Sequence, residues 1–152
     1  WRFLAHLTNV RLADDLTQET YLRAFTSLPR FAGRSSSRTW LLSIARRVVV
    51  DHIRSTNARP RQAMLQDDHS TVEHGERDIH PAARFEGMVE LELMLAELDP
   101  ERREALVLTQ YLGMSYAEAA EVCGLPVGTI RSRIARARED LLRAREENDD
   151  AM

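Results

Sequence analysis

Ser115-Tyr-Ala-Glu-Ala-Ala-Glu-Val-Cys-Gly-Leu-Pro-Val-Gly-Thr-Ile-Arg-Ser-Arg-Ile-Ala-Arg-Ala-Arg-Glu-Asp-Leu141 carries the clearest structural pattern in the chain. Ser115 and Glu118 have capping-box spacing: the serine meets a free N–H of the first turn and the glutamate reaches back. Ala119 and Ala120 are small enough to let a second helix approach closely. Gly124 supplies a sharp turn at little steric cost. An apolar seam then opens at Val127, Ile130, Ile134, Ala137 and Leu141, the ~3.6-residue period of a helix. Arginines lie off that seam at Arg131, Arg133, Arg136 and Arg138. Two short helices, a glycine turn and an arginine-studded second helix describe a helix-turn-helix that enters a DNA groove. A helical hairpin with a solvated charged face shares part of this pattern. The mutually consistent spacings of box, alanine pair, glycine and seam favour DNA.

Working outward, formal net charge is -3, which by itself argues against a DNA binder. Its distribution reverses that argument. Arg30 to Arg61 holds eight arginines and only Asp51 as an acid, and Val127 to Arg145 holds six against Glu139 and Asp140. Acids gather instead in Glu86–Glu104, in the linker and in the tail, so local positive fields survive a negative total. All 21 basic residues are Arg. Arg suits bidentate contacts to phosphate and guanine, but so complete an absence of Lys points to codon bias. The 152 residues allow one domain or two small ones. Cys123 fits a buried small hydrophobe and a reducing compartment. No apolar run has membrane-span length and no leader is visible.

Upstream, Trp1–Leu7 reads as the tail of a helix with Trp1, Phe3 and Leu4 turned inward, so the first domain is expected to be N-terminally incomplete. A second helix is expected from Asp14 or Asp15, capped by Asp15 with Gln18, to about Leu28. Leu12, Leu16, Ala24 and Leu28 form its buried side; Asp15, Gln18, Glu19 and Leu22 form the other, a candidate docking surface. Phe31–Arg38 is a basic loop rich in turn formers. A third helix is expected from Thr39 to Arg54, with Trp40, Leu41, Ile44, Ala45, Val48 and His52 toward the core. Ser43, Arg46, Arg47, Val50 and Arg54 make its outer stripe, and a basic loop running into a basic stripe favours nucleic acid. Periodicity then disappears among polar residues and Asp67, Asp68, Glu73, Glu76 and Asp78, as in a flexible linker. It resumes with Phe85, Met88, Leu91, Leu95 and Leu98. Asp99-Pro100 reads as a cap and a first-turn proline, opening a helix to Leu112 that buries Ala105, Leu106, Leu108 and Leu112. The last helix is expected to end near Glu146.

In this order the motifs resemble the bacterial sigma-70 family, specifically its extracytoplasmic-function (group 4) members, with the flavour of actinobacterial sigma factor C types. Asp14-Asp-Leu-Thr-Gln-Glu-Thr-Tyr-Leu-Arg-Ala-Phe25 is similar to region 2.2, the core-polymerase-binding helix. Arg30–Arg46 is similar to region 2.3, leading into region 2.4 through Asp51-His-Ile-Arg54. Leu98-Asp-Pro-Glu-Arg-Arg-Glu-Ala105 and the helix-turn-helix are similar to regions 4.1 and 4.2. The resemblance implies an all-α protein of two small helical domains joined by a flexible linker. Region 2 would cover 1–60, an acidic linker 61–82, region 4 with the helix-turn-helix 83–146 and an acidic tail 147–152. It implies a non-enzymatic, cytoplasmic sigma factor, nucleoid-associated through the polymerase and without cofactor or membrane contact of its own. The implied partners are core RNA polymerase and promoter DNA (−10 single strand, −35 duplex); family members often also have an anti-sigma factor.

Core binding is then expected at Asp15, Gln18, Glu19 and Leu22. The −10 contacts are expected at Phe31, Arg34, Ser35, Ser36, Ser37, Arg38, Arg46, Arg47 and Arg54, where cations hold a single strand and a pocket takes an unstacked base. Angular position on the last helix selects Arg131, Ser132 and Arg136 for base edges and Thr129, Arg133 and Arg138 for phosphate. Pro126-Val127 stands where members commonly place Ser-Glu, which removes a serine cap and a potential polar contact. Other classes fare worse. A two-component or quorum-type regulator would need a strand-containing domain in front, and Trp1–Arg61 has no strand alternation. A helical adaptor without DNA binding explains the basic faces only through acidic partners. His6, His52, His69, His74 and His80 form no zinc pattern, Asp14-Asp15 is no metal pair without a partner, and Ser35–Ser37 has no base nearby in sequence.

Overall fold

The first helix, α1 (Arg2–Leu7), buries Phe3 and Leu4, while Trp1 sits at its N-cap, exposed, its indole N–H donating to Asp14 Oδ1. This is a computed structural model describing residues 1–58 and 93–150, with side chains described to residue 147. The expected linker, 61–82, lies outside the described residues, as do Phe85, Met88 and Leu91. Among the described residues the secondary structure is entirely helical.

The second helix, α2 (Val10–Ser27), starts earlier than the Asp15/Gln18 pattern suggests. Asn9 is its N-cap, extended at φ -153°, and its side-chain oxygen accepts the Leu12 N–H at 2.9 Å. A satisfied cap ahead of Val10 leaves Asp15 inside the helix, exposed. The buried side is Ala13, Leu16, Thr20 and Ala24; Leu12 is half-buried and Leu28 is exposed, because the helix gives way at Leu28–Arg30 to a 3₁₀ turn holding Pro29. Helix α3 (Ser37–Ala58) is longer at both ends than expected. Its start is fixed by Ser36, whose Oγ accepts the Thr39 N–H at 3.1 Å. Ile44, Ala45, Val48 and Val49 face inward; Trp40, Leu41 and His52, expected in the core, are half-buried.

In the second module residues 93–97 are helical and bury Leu95. Asp99 caps α4 (Pro100–Leu106) by accepting the Glu101 N–H at 3.0 Å, with Pro100 in the first turn. The expected helix to Leu112 changes character at Val107–Tyr111, a π-helical turn in which the Leu112 N–H reaches back to the Val107 carbonyl at 2.9 Å. One extra residue in that turn buries Val107 and leaves Leu112 half-buried. Gly113, at φ +67°, ends the segment. Helix α5 (Tyr116–Cys123) and helix α6 (Val127–Asp150) follow. Helix α6 therefore runs past the expected stop at Glu146, through residues assigned to the acidic tail.

The two modules touch. Helix α3 packs along α5, and α1 meets α4 and the π turn. Phe3, Leu4, Val48 and Val49 join Ala105, Leu108, Ala120 and Cys123 in one continuous buried core. Arg46 Nε donates to Glu104 Oε1 at 2.7 Å, Arg38 donates to the Leu112 carbonyl, and His6 meets Tyr111 edge-on with ring centroids 4.4 Å apart. The arrangement is closed: of the two possibilities that an acidic linker without apolar repeats leaves open, modules moving relative to each other or modules packed together, it is the packed one.

Candidate nucleic-acid interface

Local chemistry places the helix-turn-helix. The Ser115 Oγ accepts the Glu118 N–H at 3.1 Å, and the Glu118 carboxylate accepts the Ser115 N–H at 2.8 Å, closing the box read from sequence. The bond from the Ser115 backbone, followed by that from its hydroxyl, holds the Glu118 carboxyl below the ordinary glutamate range. Ala119 and Ala120 are buried, and Gly124 takes the left-handed conformation at φ 66° that ends α5. The Leu125 N–H returns to the Ala120 carbonyl at 3.0 Å, satisfying a helix-end acceptor. Pro126 begins the next helix without a side-chain cap, its carbonyl taking the Thr129 N–H at 3.0 Å.

Helix α6 then divides by angle. Ile130, Ile134 and Ala137 are fully buried and Leu141 half-buried, so truncating either isoleucine to Ala would cost about 2–5 kcal/mol. Val127, expected in the same seam, is 38% exposed, because the helix begins there, above the hairpin. Arg131, Ser132, Arg136 and Arg138 are exposed and Thr129 is half-buried. Arg133 differs from them. Its side chain is 16% exposed and ion-paired with Glu101 at 2.5 Å, and a second pair joins Arg102 to Asp140 at 2.5 Å.

In the first module the basic loop and α3 face divide between free and engaged groups. Arg34, Ser37, Arg47 and Arg54 are exposed, and Ser35 is half-buried. Phe31 packs on Trp40 with ring centroids 4.8 Å apart. Ser36 is the cap of α3, and Arg38 and Arg46 hold the second module. Burial works against the charge on Arg46, but the Glu104 carboxylate beside it raises its pKa above the ordinary arginine value. Cys123 lies against this pair; burial first, then Glu104, pushes its thiol up to about 12. Glu104 was not singled out from the sequence. An acid abutting the apolar run Ala105–Leu108 was the available cue, since a carboxylate beside a core run needs a partner.

On α2, Asp15, Gln18 and Leu22 are exposed as expected, while half-buried Glu19 pairs with Arg23 at 2.7 Å. Arg23 also reaches Asp51 at 2.5 Å, tying α2 to α3. Beside that face the sequence reading missed an apolar depression of about 370 Å³ lined by Tyr21, Phe25, Leu28, Trp40 and Leu41. Phe25 is 71% exposed. The spacing of Tyr21, Phe25 and Leu28, four then three residues, was its signal. Among the described residues no group of three or more His, Cys, Asp or Glu gathers to hold a metal ion, and no helix is long and apolar enough to cross a membrane.

A helix-turn-helix with exposed arginines, joined to a second helical module with a basic loop and helix, defines a bipartite all-α protein built to meet nucleic acid. Residues 1–59 match the Sigma-70 region 2 family and residues 88–141 the Sigma-70, region 4 family. The chain is 56% identical to the ECF RNA polymerase sigma factor SigC of Mycobacterium tuberculosis, over 98% of this chain and 78% of that protein. Its fold resembles the sigma factor RpoE of Bartonella quintana in complex with the anti-sigma factor NepR (TM-score 0.76, 28% identity, 92% of this chain and 85% of that one). CnrH in complex with the cytosolic domain of CnrY is also similar (TM-score 0.66, 28% identity, 95% and 78%). The chain belongs to the extracytoplasmic-function (group 4) subfamily of the sigma-70 family, and its sequence closely matches actinobacterial SigC types. With that membership comes its role: a sigma factor that binds RNA polymerase and takes part in promoter recognition. The two-component or quorum-type regulator and the helical adaptor give way to it.

Proposed function

We propose that the first module engages and helps melt the −10 element while the second reads the −35 element, with Arg131, Ser132 and Arg136 at base edges and Thr129 and Arg138 at phosphates. The observation that carries this reading is the division of α6, whose Ile130, Ile134 and Ala137 are buried while Arg131, Arg136 and Arg138 stand exposed on other faces. Arg can meet guanine O6 and N7 bidentately in the major groove. In the first module Arg34, Arg47 and Arg54 are available for phosphates, with Phe31, Ser35 and Ser37 near the unstacked base. Arg38 and Arg46 can join them only after leaving Leu112 and Glu104, so DNA engagement by the full set requires the modules to part. Core polymerase docks on Asp15, Gln18, Glu19 and Leu22. One solved relative is held in complex with the anti-sigma factor NepR, and the exposed apolar groups beside that face support the same kind of regulator here. Its place of action is the cytoplasm, at the nucleoid.

Reconstituted holoenzyme transcribing a promoter library tests the assignment. Arg136→Ala should cost about 1–3 kcal/mol on the preferred −35 element and relax one or two positions. Arg138→Ala should weaken all sequences alike and lower the salt slope by roughly one unit. Unchanged preference after both Arg131→Ala and Arg136→Ala overturns the reading face. In the same system, a Gln18→Ala/Leu22→Ala variant that competes for core enzyme at wild-type affinity overturns the docking face.

A further inference from the structure

Four charged residues between α4 and α6 form two crossed ion pairs. Glu101 and Arg102 are neighbours in the first turn of α4; Arg133 and Asp140 are seven residues apart on α6, hence on one stripe of that helix. Glu101 meets Arg133 at 2.5 Å and Arg102 meets Asp140 at 2.5 Å. We propose that Arg133 and Asp140 are positioning residues for −35 recognition, fixing the roll of α6 about its axis and so deciding which side chains stand over the groove. The inference rests on the −35 reading above and departs from the sequence-based expectation that Arg133 holds phosphate.

Polarity makes the device specific. Helix α4 supplies acid then base, and α6 supplies base then acid. Exchanging partners sets Arg102 against Arg133 and Glu101 against Asp140, both like-charged, so one register alone satisfies all four. Burial agrees: the Arg133 side chain is 16% exposed, whereas its partner Glu101 is 68% exposed. The arginine lies against α4, and the acid reaches over it. Glu101, Arg102 and Arg133 line the same polar depression as Thr129, Ser132 and Arg136, so a change in roll is felt at once by the groups proposed to meet DNA. A roll of ~20° moves a side-chain tip ~6 Å from the helix axis by ~2 Å, more than a hydrogen bond to a base edge tolerates. Partly exposed pairs add little to stability. Their effect belongs in promoter choice.

The test uses holoenzyme on a randomised −35 duplex library, with the melting temperature of every variant recorded. Arg133→Glu should lower use of the wild-type element about tenfold and shift preference, and adding Glu101→Arg, which restores that contact though not the exclusion of the exchanged pairing, should recover part of both. Arg133→Gln should change preference while leaving the salt slope intact. A slope reduced by about one unit with preference unchanged makes Arg133 a phosphate contact and overturns the proposal. A folded double reversal that recovers nothing overturns it too. If that double variant melts early, the Arg102→Asp/Asp140→Arg reversal is read by the same two criteria. Arg136→Ala separates the layers: if it is silent, the reading face falls; if it relaxes preference while neither reversal rescues, only the positioning role falls.

Discussion

The two modules present their basic faces differently. On α6, Arg131, Arg136 and Arg138 stand exposed, and the one arginine that is drawn in, Arg133, is held within its own module. On the first module, Arg38 and Arg46 are held by the other half of the molecule, across 74 and 58 residues of sequence. A face whose arginines are held only within their own module is available as folded. A face that also serves as an interface becomes fully available only when the halves separate.

Glu104→Ala should break this contrast most strongly. Removing a charged hydrogen-bond partner from half-buried Arg46 should cost the closed arrangement about 1.5–3 kcal/mol. Cys123, 5% exposed beneath the pair, should then be alkylated at neutral pH at least tenfold faster than in the wild type. An unchanged rate would mean that the closed arrangement does not depend on this pair.

Gly124→Ala should act next and only within the second module. A Cβ there meets nothing within 4 Å, so the cost is backbone strain at φ +66°, about 1–2 kcal/mol, read as a lower melting temperature. Ser115→Ala should be smaller, about 1 kcal/mol from the lost cap, and should change the acid limb of the stability profile. The Glu118 pKa is lower folded than unfolded, so its contribution is present above the unfolded value, near 4.5, and is lost as pH falls through the folded value. In Ser115→Ala that limb should flatten only in part, because the backbone N–H of residue 115, the larger cause, remains. A limb as steep as in the wild type would show that Glu118 does not sense the cap.

What could be read from sequence follows the range of the interaction. The Ser115/Glu118 box and the Gly124 turn are settled within a few residues, and both formed as spaced. The start of α2 was misplaced because two caps competed: Asp15/Gln18 has the fuller pattern, but Asn9 comes first and satisfies the Leu12 N–H. Val127 matched the seam by periodicity, which carries no information on where a helix ends. The Arg46–Glu104 pair and the Arg38–Leu112 contact leave no periodic trace at all. Only the acid abutting the core run at Ala105–Leu108 hinted at the first, and nothing hinted at a backbone carbonyl as partner for Arg38.

The π-helical turn at Val107–Tyr111 bears on how this chain can vary over evolutionary time. A wide turn accommodates one residue more than regular α-helix. Deleting a single residue there would restore ordinary helix and rotate everything downstream by ~100° relative to α4. The Leu112 carbonyl would swing away from Arg38, and α5 would reach α3 on a different side. Descendants of this sequence can therefore exchange side chains freely at exposed positions of the segment, such as Gln110, yet must keep its length.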